Sequence, residues 1–579
     1  MRTGLRTGFA ATAALTAAVA LYVSATLPRP AISLEGRAPS NHIAGVYHVH
    51  TSRSDGTGTV DAVAMAASRA GLQFVILTDH GDGTRVPDPP AYVHGVLTID
   101  ALEVNTREGH IVVIGLDAAA PYPLAGLAAD VIEDVHRMGG IAILAHPDSP
   151  RAELSWRGET TLDADGIEWI NADSEWRDES ALRLMKAASS ALIRPPEAIA
   201  SMFSRPVRSF QRWDRASRTR ATVGLAAVDA HANIPWREQE EPRQSSGFEH
   251  PSYETMFQTL VQTVVSDRPL TGDAVVDAAA VIGALRAGRT YATIRAQAWP
   301  STLVFEAERE ERRYVMGDRL DASTATVAFT ARVPGAPGSQ VTLLRNGQPH
   351  RTGQGTLIVP DASIPGVYRV EVRLPETDVP WIVSNAITIE GDMGGPFGGR
   401  GGGRGGGRGE GPPATAGVVQ PHPVAPDVSR WALEQDPSSA GTVRVDEGRV
   451  RFDYRLGSGI PRGQYAAIAY APDVDAGIET VNFTASASAP VRVSIQIRLP
   501  AGHGSSAQRW RKSIYVDETP RPFVLRLQDF EPADRPTVRR PIVTPLQSLL
   551  VVMDTVNSRP GATGTVWLSG MALGVNRLE

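Results

Sequence analysis

A chain of 579 residues is long enough for roughly three or four domains and several separate cores. Its 42% hydrophobic and 21% charged residues suit a folded globular protein, and a net charge of −6 argues against a binder of double-stranded nucleic acid. There is no cysteine, which excludes disulfides, cysteine-based zinc sites and thiol catalysis together.

Arg2 and Arg6 precede an uncharged, Ala-rich run over residues 8–27, followed by Pro28-Arg29-Pro30. This order reads residues 1–27 as a signal peptide, with Val23-Ser24-Ala25 as the cleavage site, or as an N-terminal membrane anchor. The protein is therefore expected to be exported, periplasmic or extracellular, with membrane contact only through this segment.

Residues 43–295 read as alternating strand and helix. Strands are expected at 43–50, 74–78, 96–104, 111–116, 141–145, 167–170 and 222–228, with helices at 60–70 and 125–137. Apolar strands separated by helices imply a parallel sheet or barrel covered on both faces, with its site at the C-terminal strand ends. The Ala/Ser/Arg-rich stretch 172–220 is expected to be a helical insertion near that site.

The pattern changes near Pro300. Short strands between Pro/Gly turns, with a hairpin signal at Asn346-Gly347, predict an immunoglobulin-like β-sandwich over 300–391. Residues 394–414 form a Gly/Arg-rich linker that includes Arg400, Arg404 and Arg408, and its composition predicts a flexible tether. Residues 415–579 are again strand-patterned and fit a jelly-roll or galactose-binding-like β-sandwich. Trp431, Trp510 and Trp567 there are either core residues or a platform for a glycan or cell-surface ligand.

Ten of the thirteen histidines fall between His42 and His250. They recur in acid–His contexts at predicted strand ends: Tyr-His48-Val-His50, Thr-Asp79-His80, Glu103 with Gly-His110, Ala-His146-Pro and Asp229-Ala-His231. His48 and His50, two apart on a strand, share a face, and Asp229 and His231 repeat that spacing. Asp55 lies in a Ser-Asp-Gly turn that can aim its carboxylate back at them. Glu103 stands in an otherwise apolar strand, where a carboxylate needs a partner. Imidazole and carboxylate without thiolate suit two or three divalent metal ions, Zn, Mn or Fe. Arg53 and Arg85, beside the first two motifs, are candidate substrate contacts, and Glu168 and Asn171 are candidates for holding ligands from behind. His42, His94, His136 and His250 lack an acidic context and are expected to be structural or exposed.

In their order, these motifs resemble the PHP (polymerase and histidinol phosphatase) family. The resemblance spans His48 to His231 and implies a distorted (β/α)7 barrel over 43–295. It implies that His48, His50, Glu103 and Asp229 hold one metal. Glu103 would bridge to a second, held by His110 and His146, and Asp55, His80 and His231 would hold a third. The expected activity is hydrolysis of small phosphate esters or nucleotide and nucleic-acid 5′ ends by a water bridging two cations, with Asp229 and His231 as groups able to move protons. The β-sandwich and leader also resemble the CehA/McbA-type branch, which implies amide or carbamate-ester hydrolysis as an alternative. A non-catalytic glycan or cell-surface binding protein with a degenerate barrel is the alternative from a different class.

Overall fold

The computed structural model describes residues 27–36, 38–158, 163–177, 179–233, 251–321, 325–391, 419–459, 463–473, 477–499, 508–533 and 546–576, with isolated positions between Thr16 and Thr26. The expected leader, apart from those positions, and the linker at 394–414 lie outside the described residues. No helix among the described residues is long and apolar enough to cross a membrane. The described chain is mostly β-strand with few helices. It divides into two compact units: Met1–Ala118 with Leu127–Gly398, and Ala119–Gly126 with Gly399–Glu579.

In the first unit the β-branched and aromatic residues of His42–Val49 form a buried strand, parallel to Phe74–Leu77, which is parallel in turn to Val96–Asp100. The expected single strand at 96–104 is two elements. Val96–Asp100 stays in this sheet, while Leu102–Asn105 begins a second sheet, ordered Leu102–Asn105, His110–Ile114, Ile141–Leu144, Gly166–Asn171, Val223–Ala227. His110–Ile114 runs antiparallel to both neighbours, against the all-parallel expectation. The cause is local: Thr106 N donates to Gly109 O at 2.9 Å, closing a short turn that can only join antiparallel strands.

Single bridges extend the pairing from both edges of this second sheet. Val49 pairs with Ala230, with His50 N donating to Ala230 O at 3.0 Å, and His80 pairs with Glu103, with Glu103 N donating to Asp79 O at 3.1 Å. The pairings thereby run in a closed circuit back to His42–Val49. Alternate residues of these strands, among them Ile43, Tyr47, Phe74, Ile76, Val112, Ile143 and Leu225, share one core cluster. The bridging residues are the acid–His motifs themselves, so the circuit closes where the candidate site lies. Helices Ala181–Ala191, Pro195–Ala200 and Val207–Ser217 occupy the stretch expected to be helical.

Val261–Val265 and Thr290–Thr293, strands not anticipated from the sequence, carry the first sheet onward. Thr290–Thr293 pairs with Ile382–Ser384, so the regions read as separate domains at 43–295 and 300–391 share a sheet and one unit. The latter has its own core around Phe305, Phe329, Tyr368 and Trp381. Its strands Gln340–Arg345 and Gln348–Gln354 meet at Asn346-Gly347, both at positive φ, 51° and 80°, the turn that two-residue hairpins favour. Buried polar bonds fasten it to the helical stretch. Arg369 holds Asp214 at 2.9 and 3.1 Å and Glu371 at 2.8 Å, and Arg205 holds Glu371 at 2.7 and 3.0 Å.

The second unit is a β-sandwich of two antiparallel sheets around one core. Trp431 and Trp510 are buried in that core, the first of the two roles their sequence allowed. Burial of the whole indole leaves no face for a ligand. Trp567 is half-buried, with the Arg451 guanidinium 6.0 Å from its ring centre.

Candidate metal centre

Apart from Asp55, which lies on a loop, the candidate ligands sit within, at or just beyond strands. His48 and His50 close His42–Val49, where the register shifts between Val46 and Val49 and His48 takes φ 65°. A left-handed residue, and not the pleat alone, therefore sets the directions of this pair. His80 follows Phe74–Leu77, Glu103 lies within Leu102–Asn105, and His110 opens its strand. His146 follows Ile141–Leu144, and Asp229 and His231 follow Val223–Ala227. Asp79 clasps the loop that bears Asp55. Its carboxylate accepts from Thr51 N, Thr51 Oγ1 and Ser54 Oγ, each at 2.7 Å.

All nine side chains converge. Glu103 Oε2 lies 3.4 Å from His48 Nε2 and 3.3 Å from both His50 Nε2 and His80 Nδ1. Its Oε1 lies 2.8 Å from His110 Nδ1 and 2.9 Å from His146 Nε2. Asp229 Oδ1 is 3.3 Å from the Nε2 atoms of His48 and His50. Asp55 reaches His50 Nδ1 at 3.3 Å, His231 Nε2 at 3.4 Å and His80 Nε2 at 3.7 Å.

These residues fit divalent ions. Five buried atoms lack a hydrogen-bond partner here: His48 Nε2, His50 Nε2, His80 Nδ1, His146 Nδ1 and Asp229 Oδ1. Buried polar atoms are ordinarily satisfied, so five in one place call for another partner. Two ligands about 2.1 Å from one tetrahedral ion are themselves about 3.4 Å apart, which is the recurrent spacing between Glu103, Asp229 and their histidines. The donors form overlapping groups: His48/His50/Glu103, His48/His146/Asp229, His50/Asp229/His231, His50/Asp55/His80 and His80/Glu103/His110.

Electrostatics agree with that reading. Burial opposes charge on His50, but Asp229, Asp55 and Glu103 outweigh it and raise the ring well above its usual value. His48 is raised in the same way by Asp229, Glu168 and Glu103. Burial holds His80 down, to about 4, against the pull of Glu103. Burial would raise the Glu103 and Asp229 carboxyls, but the surrounding histidines hold both well below their usual range. A cluster of carboxylates thus demands positive charge, which protons or metal ions must supply.

Arg53 and Arg85 lie outside the ligand cluster. With His80, Leu102, Val113 and Leu116 they line a cavity of about 330 Å³. Both are already paired: Arg85 donates to Asp100 at 2.6 and 2.8 Å, and Arg53 binds Asp88 and lies 3.5 Å from Asp100. His42, His94 and His136 stand apart, against Tyr291, Asp61 and Asp165, as expected, and His250 lies outside the described residues. Tyr253 gave no signal in the sequence. Its hydroxyl donates to His50 O at 2.9 Å and accepts from Gly58 N at 3.1 Å, tying two site loops together.

Gly56 packs so closely that an added Cβ would collide with the His50 carbonyl and the Tyr253 hydroxyl. Gly56→Ala is therefore expected to displace Asp55 and weaken metal binding at the His50/Asp55/His80 group by about 10–100-fold. Metal titration of the purified variant checks this, and unchanged affinity would contradict the placement of Asp55.

No family model matches the chain. Uncharacterized protein MJ1587 of Methanocaldococcus jannaschii is 30% identical over 112 residues, which are 19% of this chain and 64% of that protein. The chain thus spans less than two thirds of the length of that relative. Among solved structures, the family 11 carbohydrate-binding module of cellulosomal cellulase Lic26A-Cel5E of Clostridium thermocellum is 13% identical, with 28% of this chain and 97% of that chain covered at a TM-score of 0.23. A family 11 module from Clostridium thermocellum in complex with a beta-1,3-1,4-mixed-linked tetrasaccharide is 12% identical, with 28% and 98% covered at a TM-score of 0.23. Likeness at these scores carries no weight for function.

Proposed function

We propose that this chain is a metal-dependent hydrolase of PHP type, in which the closed circuit of strands is a distorted (β/α)7 barrel. His48, His50, Asp55, His80, Glu103, His110, His146, Asp229 and His231 would hold two or three Zn, Mn or Fe ions. The observation that carries the proposal is the convergence of these nine side chains with five unpartnered buried atoms among them. Bound divalent ions would supply Lewis acidity at a phosphoryl or carbonyl oxygen and acidify water.

The chain's own groups do the rest. Glu103 shares its two oxygens between two sets of histidines, which fixes their separation. His48, His50, Glu103, His146 and Asp229 are buried and close one side to water. Asp55, His80 and His231 are 35%, 30% and 16% exposed, so substrate enters on their side, beside the cavity of Arg53 and Arg85. His231 directs Nδ1 to Asp229 O at 2.9 Å and Nε2 to within 3.4 Å of Asp55 Oδ2, and His231 and Asp229 are the groups proposed to move protons.

The first substrate class is a small phosphate ester or nucleotide 5′ end, held by Arg53 and Arg85. Amide or carbamate-ester hydrolysis is the second reading. It is favoured by the pairing of both arginines with Asp88 and Asp100 and by the apolar wall of Leu102, Val113 and Leu116. The leader-like N-terminus supports export. A glycan or cell-surface ligand is proposed for the C-terminal sandwich, at a cleft of about 260 Å³ lined by Tyr465, Gln496, Arg509 and Asp554.

The test is the full chain, stripped with chelator and reconstituted with Zn, Mn or Fe, assayed on phosphoesters, aryl esters, amides and carbamates. Metal-dependent turnover of phosphoesters is expected. Turnover confined to carbonyl substrates would select the second reading. A metal-free protein that binds glycans and turns over nothing would support the non-catalytic alternative.

A further inference from the structure

Three of the proposed ligands hold a backbone conformation that side-chain-bearing residues rarely adopt: His48 at φ 65°, His146 at φ 26° and Asp229 at φ 48°. Such positions persist only where the surroundings over-determine them. One buried side chain reaches two of them directly and the third through Asn171. Glu168 Oε1 accepts from His48 Nδ1 at 2.6 Å and from the Tyr47 hydroxyl at 2.9 Å. Its Oε2 accepts from His146 N at 2.7 Å and from Asn171 Nδ2 at 3.1 Å. Asn171 Nδ2 also donates to Asp229 Oδ2 at 3.1 Å. Its amide orientation is set independently, because Oδ1 accepts from Ser174 N at 3.0 Å. Glu168 belongs to none of the donor groups able to hold an ion.

We infer that Glu168 is a positioning residue that locks His48, His146 and Asp229 into ligating orientation, an inference that rests on the metal-centre reading above. All four groups touching its carboxylate are donors. In the neutral ring that a metal ion requires, an acceptor at His48 Nδ1 holds the proton on that nitrogen, so Nε2 presents its lone pair toward Glu103 and Asp229. The His146 backbone N–H cannot change role, and Asn171 is fixed by Ser174. Glutamine at 168 has one acceptor oxygen, which must serve His146 N and Asn171. Its NH2 then faces His48 Nδ1, and the imidazole must put its proton on Nε2, where it can no longer ligate.

The experiment compares the wild type with Glu168→Gln in the full chain, reading Co2+ affinity by chelator competition, the d–d absorption of the Co2+-loaded protein, and the thermal unfolding profile. E168Q should unfold cooperatively, bind Co2+ about 10–100-fold more weakly and show an altered d–d band. Wild-type affinity and spectrum in E168Q would overturn the inference and leave the metal centre standing. A wild type that takes up no Co2+ would overturn both. If E168Q does not fold, Asn171→Ala removes the link to Asp229 and leaves the bonds of Glu168 to His48 and His146 in place. Several-fold weaker Co2+ binding there supports the inference, and unchanged binding overturns it.

Discussion

Asp229→Asn and Glu103→Gln are each expected to lower kcat/KM by more than about 100-fold while the protein stays folded. Residues that merely orient a ligand typically cost 10–100-fold, and these two are proposed to contribute the oxygens themselves. Glu103 presents Oε2 to three histidines and Oε1 to two others, so both oxygens are in use. An amide keeps one acceptor, and its NH2 would point at a ring nitrogen or a cation, where hard ions bind poorly. Asp229 stands at φ 48°, a conformation that asparagine tolerates better than most residues, so that variant adds little backbone strain. Steady-state kinetics with metal content per chain check both variants. A wild-type rate with wild-type stoichiometry in either would contradict the assigned role.

The second large effect concerns stability. Arg369→Met should destabilise the first unit by roughly 3–5 kcal/mol, the range for removing one partner from a buried ion pair. Arg369 is 2% exposed and serves Asp214 and Glu371 together, with its guanidinium 4.7 Å from the Phe210 ring centre. Burial would raise the Glu371 carboxyl, but Arg369 and then Arg205 outweigh it and hold it below its usual range. A carboxyl held low contributes stability in full above its unfolded value, about 4.3, and loses it as pH falls through its native value. In R369M that depression shrinks, so the gap between variant and wild type should be widest above about pH 4.3 and narrow in acid. Denaturant unfolding across that range measures it, and a gap that is small or independent of pH would contradict this account of Arg369.

Much of the candidate site was legible because its chemistry is local. Acid–His pairs at the ends of apolar runs mark strand termini, and the absence of cysteine narrows the ligand types. What brings the strand ends together was not legible. The break at Ala101 sends one apolar run into two sheets, since a period of two marks a strand without naming its partner. The antiparallel course of His110–Ile114 follows from the short turn at Thr106–Gly109, whose residues announce no direction of their own. Val261–Val265 and Thr290–Thr293 carry Gln262, Thr263 and polar turn neighbours, which obscured their burial, yet they make one unit of two expected domains. The arginines were read without Asp88 and Asp100, because a salt bridge across a loop leaves no trace in spacing. Likewise Ala119–Gly126, midway through the sequence of the first unit, groups with the C-terminal unit, which the Gly-rich composition of 394–414 did not foretell.

Glu168 shows the same limit from the other side. Its acidic character in an apolar strand was visible, but the positive φ values of His48, His146 and Asp229 that give it a task appear only in three dimensions.

The most direct measurement is an anomalous-scattering crystal structure of the protein loaded with Zn or Mn. The account predicts at least two peaks about 2.0–2.2 Å from nitrogen and oxygen atoms of His48, His50, Glu103, His146 and Asp229, with Glu103 contacting both. Loaded crystals with no peak among these residues, their five unpartnered atoms filled by water alone, would contradict it.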